Sequence, residues 1–559
     1  MSALWWERWP ERLEAELKAL ESAGIPYEVD EEAKAQGKIV LNLSHAIDGE
    51  PMRLIASFPD EYPFMRFEIR APDLTLARHQ SPYEKNLCLI GRASQNWRND
   101  EDSVARFVIE QLPKAIASAN GGADDLEEPQ GEPVSEYYQY HSGMVMIDSA
   151  WKIDPAVTSG RLLVGTDARF PLRTVVLEVQ DDNGKILAEA DKQMRDLYKP
   201  TFTIKWVRTA APIMQKDGRK FFEELQVLHP QVQYHEWFRD HGLDLNYGLI
   251  GVTFPEEVKH KTMGEGWLFL FVTRVRNRGH KHPKWTNQFN FLRAGRAGRQ
   301  DMEERIPQLK HLSSKKVAVI GLGSVGAPSA LEFAKNGVGE LRVLDDDHVE
   351  PGTTVRWPLG LRAVGMRKAD VIETHVRANY PLIKVVSSKM RIGNPKEKSR
   401  EHLDEFFKDI DLIYDATAEP GVHHFLSDLA QQKGVPYVLA SATRGAWGGM
   451  VARFIPGDPC WPCFQQALTE KLVPNPPEDD SPGVQPVGCA APTFTGAHYD
   501  LQEVALSGVR LAVSTLAGES GDIKWNAATL SMREGDFLPH WSTHDIPRQV
   551  GCACGGNGR

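Results

Sequence analysis

A glycine-rich turn between an apolar run and a helical pattern constrains the fold of this chain more than any other segment. The run Gly321-Leu-Gly323-Ser-Val-Gly326 follows the apolar residues Val317–Ile320 and precedes a predicted helix over Ala327–Asn336. Small residues let the backbone bend and approach a phosphate, and the helix N-terminus favours its negative charge. The pattern predicts a phosphate-binding site at Gly321, Gly323 and Gly326, suited to nicotinamide, flavin, methyl-donor or ATP ligands. Glycines that serve only helix–sheet packing are the alternative.

Apolar runs that alternate with helical patterns predict that this turn belongs to a parallel-rich α/β sheet. The strand after the first helix, Leu341–Leu344, ends at Asp345, where a carboxylate can accept hydrogen bonds from a ribose hydroxyl. Further strands of the same sheet are predicted at Leu382–Val386, Leu412–Tyr414 and Tyr437–Ala440.

The composition excludes several classes of protein. Hydrophobic residues make up 41% of the 559 residues and charged residues 25%, which is ordinary for a chain with several packed cores. The formal net charge of −11 gives no overall basic field, so we expect no direct nucleic-acid binding. The sequence shows no apolar run of membrane-spanning length and no apolar signal core near its start, so a cytoplasmic protein without a membrane partner is expected.

An acidic segment bearing glycine and proline divides the rest of the chain. Residues 121–137 hold few large apolar side chains, which is typical of a linker. We therefore expect a multidomain α/β and α+β protein. Its parts are an N-terminal α+β domain over 1–120, a middle mixed α/β domain of unknown role over 138–299, and a C-terminal α/β domain over 300–559. The middle domain carries no recognisable chemical motif, and its histidines lack metal-ligand spacing.

The residues that follow Leu344 carry a longer pattern. They read D-D-D-H-V-E from Asp345, followed by Arg356 and then by V-G-M-R-K-A around Lys368. This pattern resembles the adenylating domain of ubiquitin-activating enzymes and their sulfur-carrier relatives, the ThiF/MoeB superfamily, whose fold is Rossmann-like. The resemblance implies that ATP and Mg²⁺ bind here, with Asp345 on the ribose, Asp347 completing the acidic pair, and Arg356 and Lys368 on the phosphates. Fixed cations would stabilise the charge that adenylation builds on the phosphates.

The chain departs from the superfamily pattern at several positions. Thr353 stands where the family has asparagine, and Trp357 follows the arginine. The family sequence D-x-T-D-N at the end of the fourth strand reads D-A-T-A-E from Asp415, so that Ala418 replaces the aspartate linked to magnesium. Either Asp415 or Glu419 is then left to supply the carboxylate.

Four of the six cysteines fall into two close pairs. Cys460-Trp-Pro-Cys463 and Cys552-Ala-Cys554 offer four thiolates, the donor set of a tetrahedral zinc site without an open position for catalysis. The ThiF/MoeB resemblance implies a structural Zn²⁺ held by two such halves, although the second half of the family motif is C-x-x-C. A metal-free thiol cluster is the alternative.

Cys489 lies after a proline-rich stretch, in a predicted crossover loop over 473–490. In ubiquitin-activating enzymes a mobile loop of this kind carries the cysteine that forms a thioester. A thiolate near a helix N-terminus is favoured, which suits a nucleophile. The resemblance implies that Cys489 captures the activated acyl group, and a small buried residue packed behind the paired cysteines is the alternative.

A second resemblance covers residues 1–120, which run in the order helix, strand meander, cysteine loop and helix. F-P-D-E-Y-P begins at Phe58, His79 and N-L-C-L around Cys88 come next, and Trp97 precedes a helix. This order resembles ubiquitin-conjugating enzymes, and it implies that Cys88 receives an acyl group by transthiolation and passes it to an amine. A buried core thiol is the alternative for Cys88.

The family sequence H-P-N is not preserved in this second resemblance. Gln80 and Ser81 follow the histidine, so the asparagine that helps to stabilise the oxyanion is missing. Ser81, Asn86 or a backbone N–H group are the candidates for that role, and the sequence does not choose among them.

Taken together, the two resemblances suggest a bacterial fusion of ubiquitin-conjugating-like and ubiquitin-activating-like modules, an arrangement typical of anti-phage signalling (CBASS) operons. They imply a carrier such as the C-terminus of a cGAS-like nucleotidyltransferase or another ubiquitin-like protein, a protein amine as acceptor, and a homodimer. The alternatives are a sulfur-carrier adenylyltransferase without conjugation, an NAD-dependent oxidoreductase, and a scaffold without enzymatic activity.

Overall fold

The computed structural model divides into two compact units. The N-terminal unit comprises Met1–Met146, Ile153–Ala188 and Thr201–Gly295, and the C-terminal unit comprises Ile147–Lys152, Glu189–Pro200 and Arg296–Arg559. The structure describes residues 4–47, 49–91, 96–120, 131–166, 172–232, 247–277, 284–395, 400–481, 483–484, 495–518, 523–533, 538–552 and 554.

The first part of the N-terminal unit is an antiparallel sheet flanked by helices. Its strands, in the order β1-β2-β3-β4, confirm the predicted meander and add β1 to it. An aromatic cluster fills the core because Trp5, Phe58 and Tyr62 pack with ring centroids 4.7–5.6 Å apart. The strands are β1 (Tyr27–Val29), β2 (Val40–Ile47), β3 (Glu50–Ser57) and β4 (Glu68–Arg70). The helices are Trp5–Arg8, Pro10–Ser22, Glu31–Ala35, Val104–Arg106 and Leu112–Ala119.

The helical segment around Pro113 contains a π-helical turn. Residues Phe107–Gln111 form this turn between the helices Val104–Arg106 and Leu112–Ala119. Proline has no N–H group to donate and its ring clashes with the preceding turn, so a widened turn relieves the clash without ending the helix.

The rest of the N-terminal unit is built on one large mixed sheet, in the order β5-β12-β11-β10-β9-β6-β7-β8. Because β5 also pairs in parallel with the start of β7, seven of these strands close into a ring. The sheet packs on the helix Gly218–Leu228, and a short 3₁₀ helix, Val134–Tyr137, precedes β5. The strands are β5 (Tyr140–Ile147), β6 (Ser159–Thr166), β7 (Leu172–Asp181), β8 (Ile186–Glu189), β9 (Thr201–Arg208), β10 (Tyr247–Lys259), β11 (Thr262–Asn277) and β12 (Lys284–Arg296).

The C-terminal unit contains the predicted parallel-rich sheet. Its strands follow the order β15-β14-β13-β16-β17-β18-β19-β20; the pairs from β15 to β17 are parallel and the later pairs antiparallel. The strands are β13 (Lys316–Ile320), β14 (Glu340–Leu344), β15 (Lys384–Ser388), β16 (Leu412–Asp415), β17 (Tyr437–Ala442), β18 (Gly448–Phe454), β19 (Ala527–Ser531) and β20 (His540–His544). Its longer helices are Gly326–Lys335, Lys368–Asn379, Pro420–Lys433, Trp461–Thr469 and His498–Leu516, and the shorter ones are Lys192–Leu197, Arg299–Glu303, Pro307–Ser314, Pro351–Thr353, Leu361–Ala363 and Arg400–Phe406.

Apolar cores cover both faces of this sheet, as a parallel sheet requires. The parallel order brings the carboxyl ends of β13, β14 and β16 to one edge, and this is where ligands bind in open α/β sheets. A search of the described residues finds no helix with the length and apolar character needed to cross a membrane.

Candidate functional sites

The glycine-rich turn after β13 combines two packing glycines with one open position. Gly321 has a φ of +80°, and a Cβ there would lie 2.9 Å from the carbonyl group of Ala416. A Cβ on Gly326 would lie 1.8 Å from the carbonyl oxygen of Gly321. A Cβ on Gly323, in contrast, would meet no other described atom within 4 Å. Gly321 and Gly326 therefore shape the turn, and Gly323 leaves space on its outer side.

That space opens on a cavity of about 420 Å³ at the carboxyl ends of the strands. Acidic residues, one lysine and one arginine surround it, which suits a nucleotide bound with a divalent cation. The lining residues are Ile320, Gly321, Gly323, Leu344, Asp345, Asp346, Asp347, Lys368, Met390, Arg391, Ile392, Ala416, Thr417, Glu419 and Val422.

The carboxylate of Asp345 accepts hydrogen bonds from two backbone segments beside the cavity. Its Oδ2 accepts the N–H of Leu322 at 2.6 Å, and its Oδ1 accepts the N–H of Asp347 at 2.8 Å. Each carboxylate oxygen retains a lone pair, because an ionised carboxylate accepts about four hydrogen bonds. The geometry is compatible with the predicted contact to a ribose hydroxyl.

Lys368 reaches the same cavity from the first turn of a helix. Its Nζ lies 2.6 Å from Oδ2 of Asp347, and its side chain is only 14% exposed. Partial burial opposes ionisation of Asp347, but the hydrogen bond and charge of Lys368 outweigh it and lower the pKa of this carboxyl. The pair holds an ammonium group beside the cavity, where it can meet a phosphate.

Gly323→Val is expected to weaken ATP binding at least about tenfold, because the added side chain would occupy the space that a phosphate needs. The melting temperature should stay within about 2 °C of wild type, since the substituted position touches no other described residue. Equilibrium binding of a fluorescent ATP analogue and differential scanning fluorimetry measure both quantities. Gly352→Val, at another position with an open Cβ direction, is the matched control. Equal affinity in the two variants would contradict the assignment.

Asp415 lies under the cavity and does not line it. Its side chain is fully buried, and hydrogen bonds reach both carboxylate oxygens. Thr417 donates to Oδ1 from its N–H and its hydroxyl at 2.9 and 2.8 Å, the hydroxyl of Tyr437 donates to Oδ2 at 2.8 Å, and Nδ1 of His423 lies 2.8 Å from Oδ2. This arrangement holds the turn that carries Thr417. The exposed Glu419 is the carboxylate of this segment that lines the cavity.

The structure does not bring every predicted residue to the cavity wall. Arg356 is half-buried and absent from the lining, and its carbonyl oxygen lies 3.0 Å from Nδ1 of His498. Trp357 has a structural role instead: it is 5% exposed, and its Nε1–H donates to the carbonyl of Leu322 at 2.8 Å. A departure from the family sequence thus stabilises the glycine-rich turn.

The two cysteine pairs meet in the C-terminal unit. All four Sγ atoms lie within 4.8 Å of one another, with separations of 3.3 Å (Cys460–Cys552), 3.7 Å (Cys463–Cys554) and 3.8 Å (Cys460–Cys463). Zn–S bonds of about 2.3 Å in a tetrahedron require Sγ atoms about 3.8 Å apart. Both the donor set and its spacing fit zinc, which would tie the C-terminal segment to the helix Trp461–Thr469.

A short chain of contacts links this cluster to the floor of the nucleotide cavity. Trp461, next to Cys460, packs edge-on against the ring of His423 with centroids 4.9 Å apart. His423 in turn contacts Asp415, which holds Thr417 at the cavity wall. The position of the cysteine cluster therefore bears on the shape of the cavity.

Replacing both Cys552 and Cys554 by serine is expected to remove about one zinc per chain and to lower the melting temperature by more than about 5 °C, because the energy of zinc binding stabilises the fold. Elemental analysis and scanning fluorimetry are the measurements. Cys88→Ser, which changes an exposed thiol outside the cluster, should alter neither. A structural metal site would be contradicted if wild-type protein contained no zinc and the double substitution left the melting temperature unchanged.

Cys88 is exposed, between the buried side chains of Leu87 and Leu89. Its N–H donates to the carbonyl of His79 at 2.7 Å, which fixes the cysteine against the preceding loop. Its accessibility suits an acceptor of acyl groups and excludes the core-thiol alternative. Cys489, the other predicted nucleophile, lies outside the described residues, so its role stays a prediction.

The sequence analysis did not identify the residues before β5 that contribute to the surroundings of Cys88. Glu132 contacts His79, and the phenol of Tyr137 interacts electrostatically with the thiol of Cys88. Burial, together with the negative charges of Glu132 and Cys88, raises the pKa of Tyr137 to about 12. No local sequence signal marks these residues, because the contact between positions 79 and 132 is long-range.

Comparison with known proteins matches the two regions to separate families. The profile described as "ThiF family" matches residues 294–497, and the profile "Prokaryotic E2 family B" matches residues 14–147. The chain therefore joins an E1-like ThiF module to a prokaryotic E2-like module, the domain combination of a ubiquitin-activating/conjugating-like enzyme.

Over its full length, the chain belongs to the family of y4oA, an uncharacterized protein of Sinorhizobium fredii. The two are 30% identical over 592 residues, which cover 99% of this chain and 97% of y4oA. The adenylyltransferase and sulfurtransferase UBA4 of Kluyveromyces lactis is 32% identical over 175 residues, 31% of this chain and 38% of UBA4. The crystal structure of E. coli MccB with succinimide superimposes with a TM-score of 0.35 at 15% identity, covering 45% of this chain and 69% of that one.

Proposed function

We propose that this protein activates the C-terminal carboxylate of a carrier protein with ATP and conjugates the carrier to an amine through two cysteines. The observation that carries the proposal is the presence, in one chain, of a nucleotide-sized cavity in the ThiF-matched region and an exposed thiol in the E2-matched region. Neither feature alone distinguishes conjugation from adenylation for another purpose.

In the first step, an oxygen of the carrier carboxylate attacks the α-phosphorus of ATP, and pyrophosphate leaves. Asp345 binds the ribose, the open side of Gly323 admits the phosphates, and Lys368 stabilises their charge. Magnesium would bind among the carboxylates that line the cavity, including Glu419, and would neutralise phosphate charge. The predicted phosphate contact of Arg356 belongs to this proposal as well.

In the later steps, the acyl group passes between sulfur atoms and then to nitrogen. The thiolate of Cys489 attacks the acyl-adenylate and AMP leaves; the thiolate of Cys88 attacks the thioester and frees Cys489. An amine then attacks the carbonyl carbon at Cys88, so that an amide forms and the thiol leaves. Exchange between two thioesters loses little free energy, which makes the relay chemically reasonable.

We propose a ubiquitin-like carrier or the C-terminus of a cGAS-like nucleotidyltransferase, with a role in anti-phage defence of the CBASS type, and action as a cytoplasmic homodimer. The name of UBA4 includes a sulfurtransferase activity, so sulfur-carrier adenylation without conjugation is the second candidate. This second reaction would use the nucleotide cavity, and Cys88 would take no part in it.

Isotope exchange between pyrophosphate and ATP tests the first step. The protein is assayed with each product of its neighbouring genes that could act as a carrier, with and without the last residue of that product. We expect exchange that requires an intact carrier C-terminus, and we expect AMP, without ADP, to be released when the acyl group passes from the adenylate to Cys489. Reduction of NAD with no consumption of ATP would instead support an oxidoreductase.

A further inference from the structure

The loop before Cys88 contains a residue in an unusual backbone conformation. His79 has a φ of +60°, in the left-handed region that histidine adopts more often than most side chains, but still rarely. Its carbonyl accepts the N–H of Cys88 at 2.7 Å. Any shift of His79 therefore moves the backbone that carries the thiol.

Glu132 holds His79 through both of its carboxylate oxygens. Oε2 accepts the N–H of His79 at 2.7 Å, and Oε1 lies 3.0 Å from its Nδ1. Nε2 of the same ring lies 3.2 Å from the hydroxyl of the buried Ser118. The imidazole is 6% exposed and is fixed at both nitrogens, so the left-handed conformation is over-determined by its surroundings.

Glu132 is itself anchored to the large sheet of the N-terminal unit. Its N–H donates to Oε2 of Glu257 on β10 at 3.3 Å, and the other carboxylate oxygen of Glu257 binds Arg78, the neighbour of His79. Ser135, three residues after Glu132, binds Glu256 through its N–H at 2.8 Å and its hydroxyl at 2.9 Å. The cysteine loop and the segment 131–137 are thus held by one strand.

We propose that Glu132 is a positioning residue of the cysteine site, which acts through His79 to fix the backbone at Cys88. The Prokaryotic E2 family B match spans 14–147, so the site would draw on a residue well beyond the loop that carries the thiol. The part of this inference that concerns acyl transfer rests on the proposed function. The part that concerns the position of the Cys88 thiol rests on geometry alone.

The residues that could replace the missing asparagine show why such positioning matters. The Nδ2 group of Asn86 donates to Glu68 at 3.1 Å, and the hydroxyl of Ser81 accepts the N–H of Glu84 at 3.1 Å. Each side chain is held by one such contact and still carries a donor hydrogen, so its position relative to the thioester depends on the backbone of this loop. Misplacement by about 1 Å can cost an enzyme on the order of 100-fold in rate.

The test compares Glu132→Gln with Glu136→Gln, a change of the same kind in the same segment at an exposed glutamate paired with Arg293. His79→Asn and the double variant Glu132→Gln/His79→Asn complete a cycle, since asparagine tolerates a positive φ. Two rates are measured on the full chain: alkylation of Cys88 by iodoacetamide, followed on its peptide by mass spectrometry, and discharge of the Cys88 thioester to free lysine.

We expect Glu132→Gln and His79→Asn each to slow discharge about tenfold and to change the alkylation rate several-fold, and the double variant to resemble the slower single variant. Glu136→Gln should match wild type in both rates. The inference would be overturned if Glu132→Gln were alkylated at the same rate as Glu136→Gln. It would also be overturned if the rate losses of Glu132→Gln and His79→Asn multiplied in the double variant. Absence of a thioester in wild type would refute the proposed relay, while the alkylation rates would still decide whether Glu132 positions the thiol.

Discussion

Cys88→Ala is expected to abolish amide conjugation while carboxylate activation continues at the wild-type rate. Cys88 is the exposed thiol of the E2-matched region, and no other group can form the last thioester. Removal of a nucleophile leaves only the uncatalysed background, so conjugate formation should fall by at least about 1,000-fold. Pyrophosphate exchange reports on a cavity in the other unit and should not change.

Conjugate yield on denaturing gels, measured beside pyrophosphate exchange, separates the two activities. Glu136→Gln is a suitable control because it changes an exposed residue near the same site and leaves the thiol intact. If Cys88→Ala still conjugates at the wild-type rate, Cys88 has no catalytic role in conjugation and the proposed relay is wrong.

Lys368→Met is expected to lower pyrophosphate exchange by about 100- to 1,000-fold, the usual loss when one charge-stabilising donor is removed from an active site. Methionine retains an apolar stem similar to that of the lysine and removes the ammonium group, with its charge and its hydrogen-bond donors. The variant also leaves Asp347 without its ion-pair partner, so that the cavity becomes more negative where phosphate must bind.

Lys384→Met provides the matched control for this second prediction. Lys384 also pairs with a carboxylate in the C-terminal unit, Glu340 at 3.0 Å, but it is 59% exposed and starts β15, away from the carboxyl ends of the strands. The pyrophosphate exchange rate of Lys384→Met should equal that of wild type. Similar exchange in the two variants would show that Lys368 does not act on the phosphates.

Local sequence patterns predicted much of the nucleotide cavity, since the residues involved are close in the chain or follow successive strands. The turn at Gly321 and the acid at Asp345 lie where strand ends must converge. Asp415 shows the limit of this reasoning. The same strand-end logic brings it to the right edge, but its carboxylate is buried, is held by four polar contacts and does not line the cavity. Side-chain direction at a strand end depends on packing, which the sequence pattern does not contain.

Long-range contacts account for what the sequence did not reveal. The parallel pairing of β5 with β7, which closes the ring of the middle region, was not predicted from the sequence. The contact of Glu132 with His79 spans 53 positions and has no local signature. The paired cysteines are the exception, because their spacing predicted that the four thiols cluster, and the structure brings Cys460 and Cys552 together across 92 residues.

Intact-mass spectrometry tests the central claim, a thioester relay powered by adenylation, most directly. The protein is purified without reductant from cells that express its neighbouring genes, as wild type, Cys489→Ala and Cys88→Ala. We predict a carrier-sized adduct that thiol reductant removes in wild type, that persists on Cys489 in Cys88→Ala, and that is absent in Cys489→Ala. No adduct in any of the three proteins, with ATP and the candidate carriers present, would contradict the account.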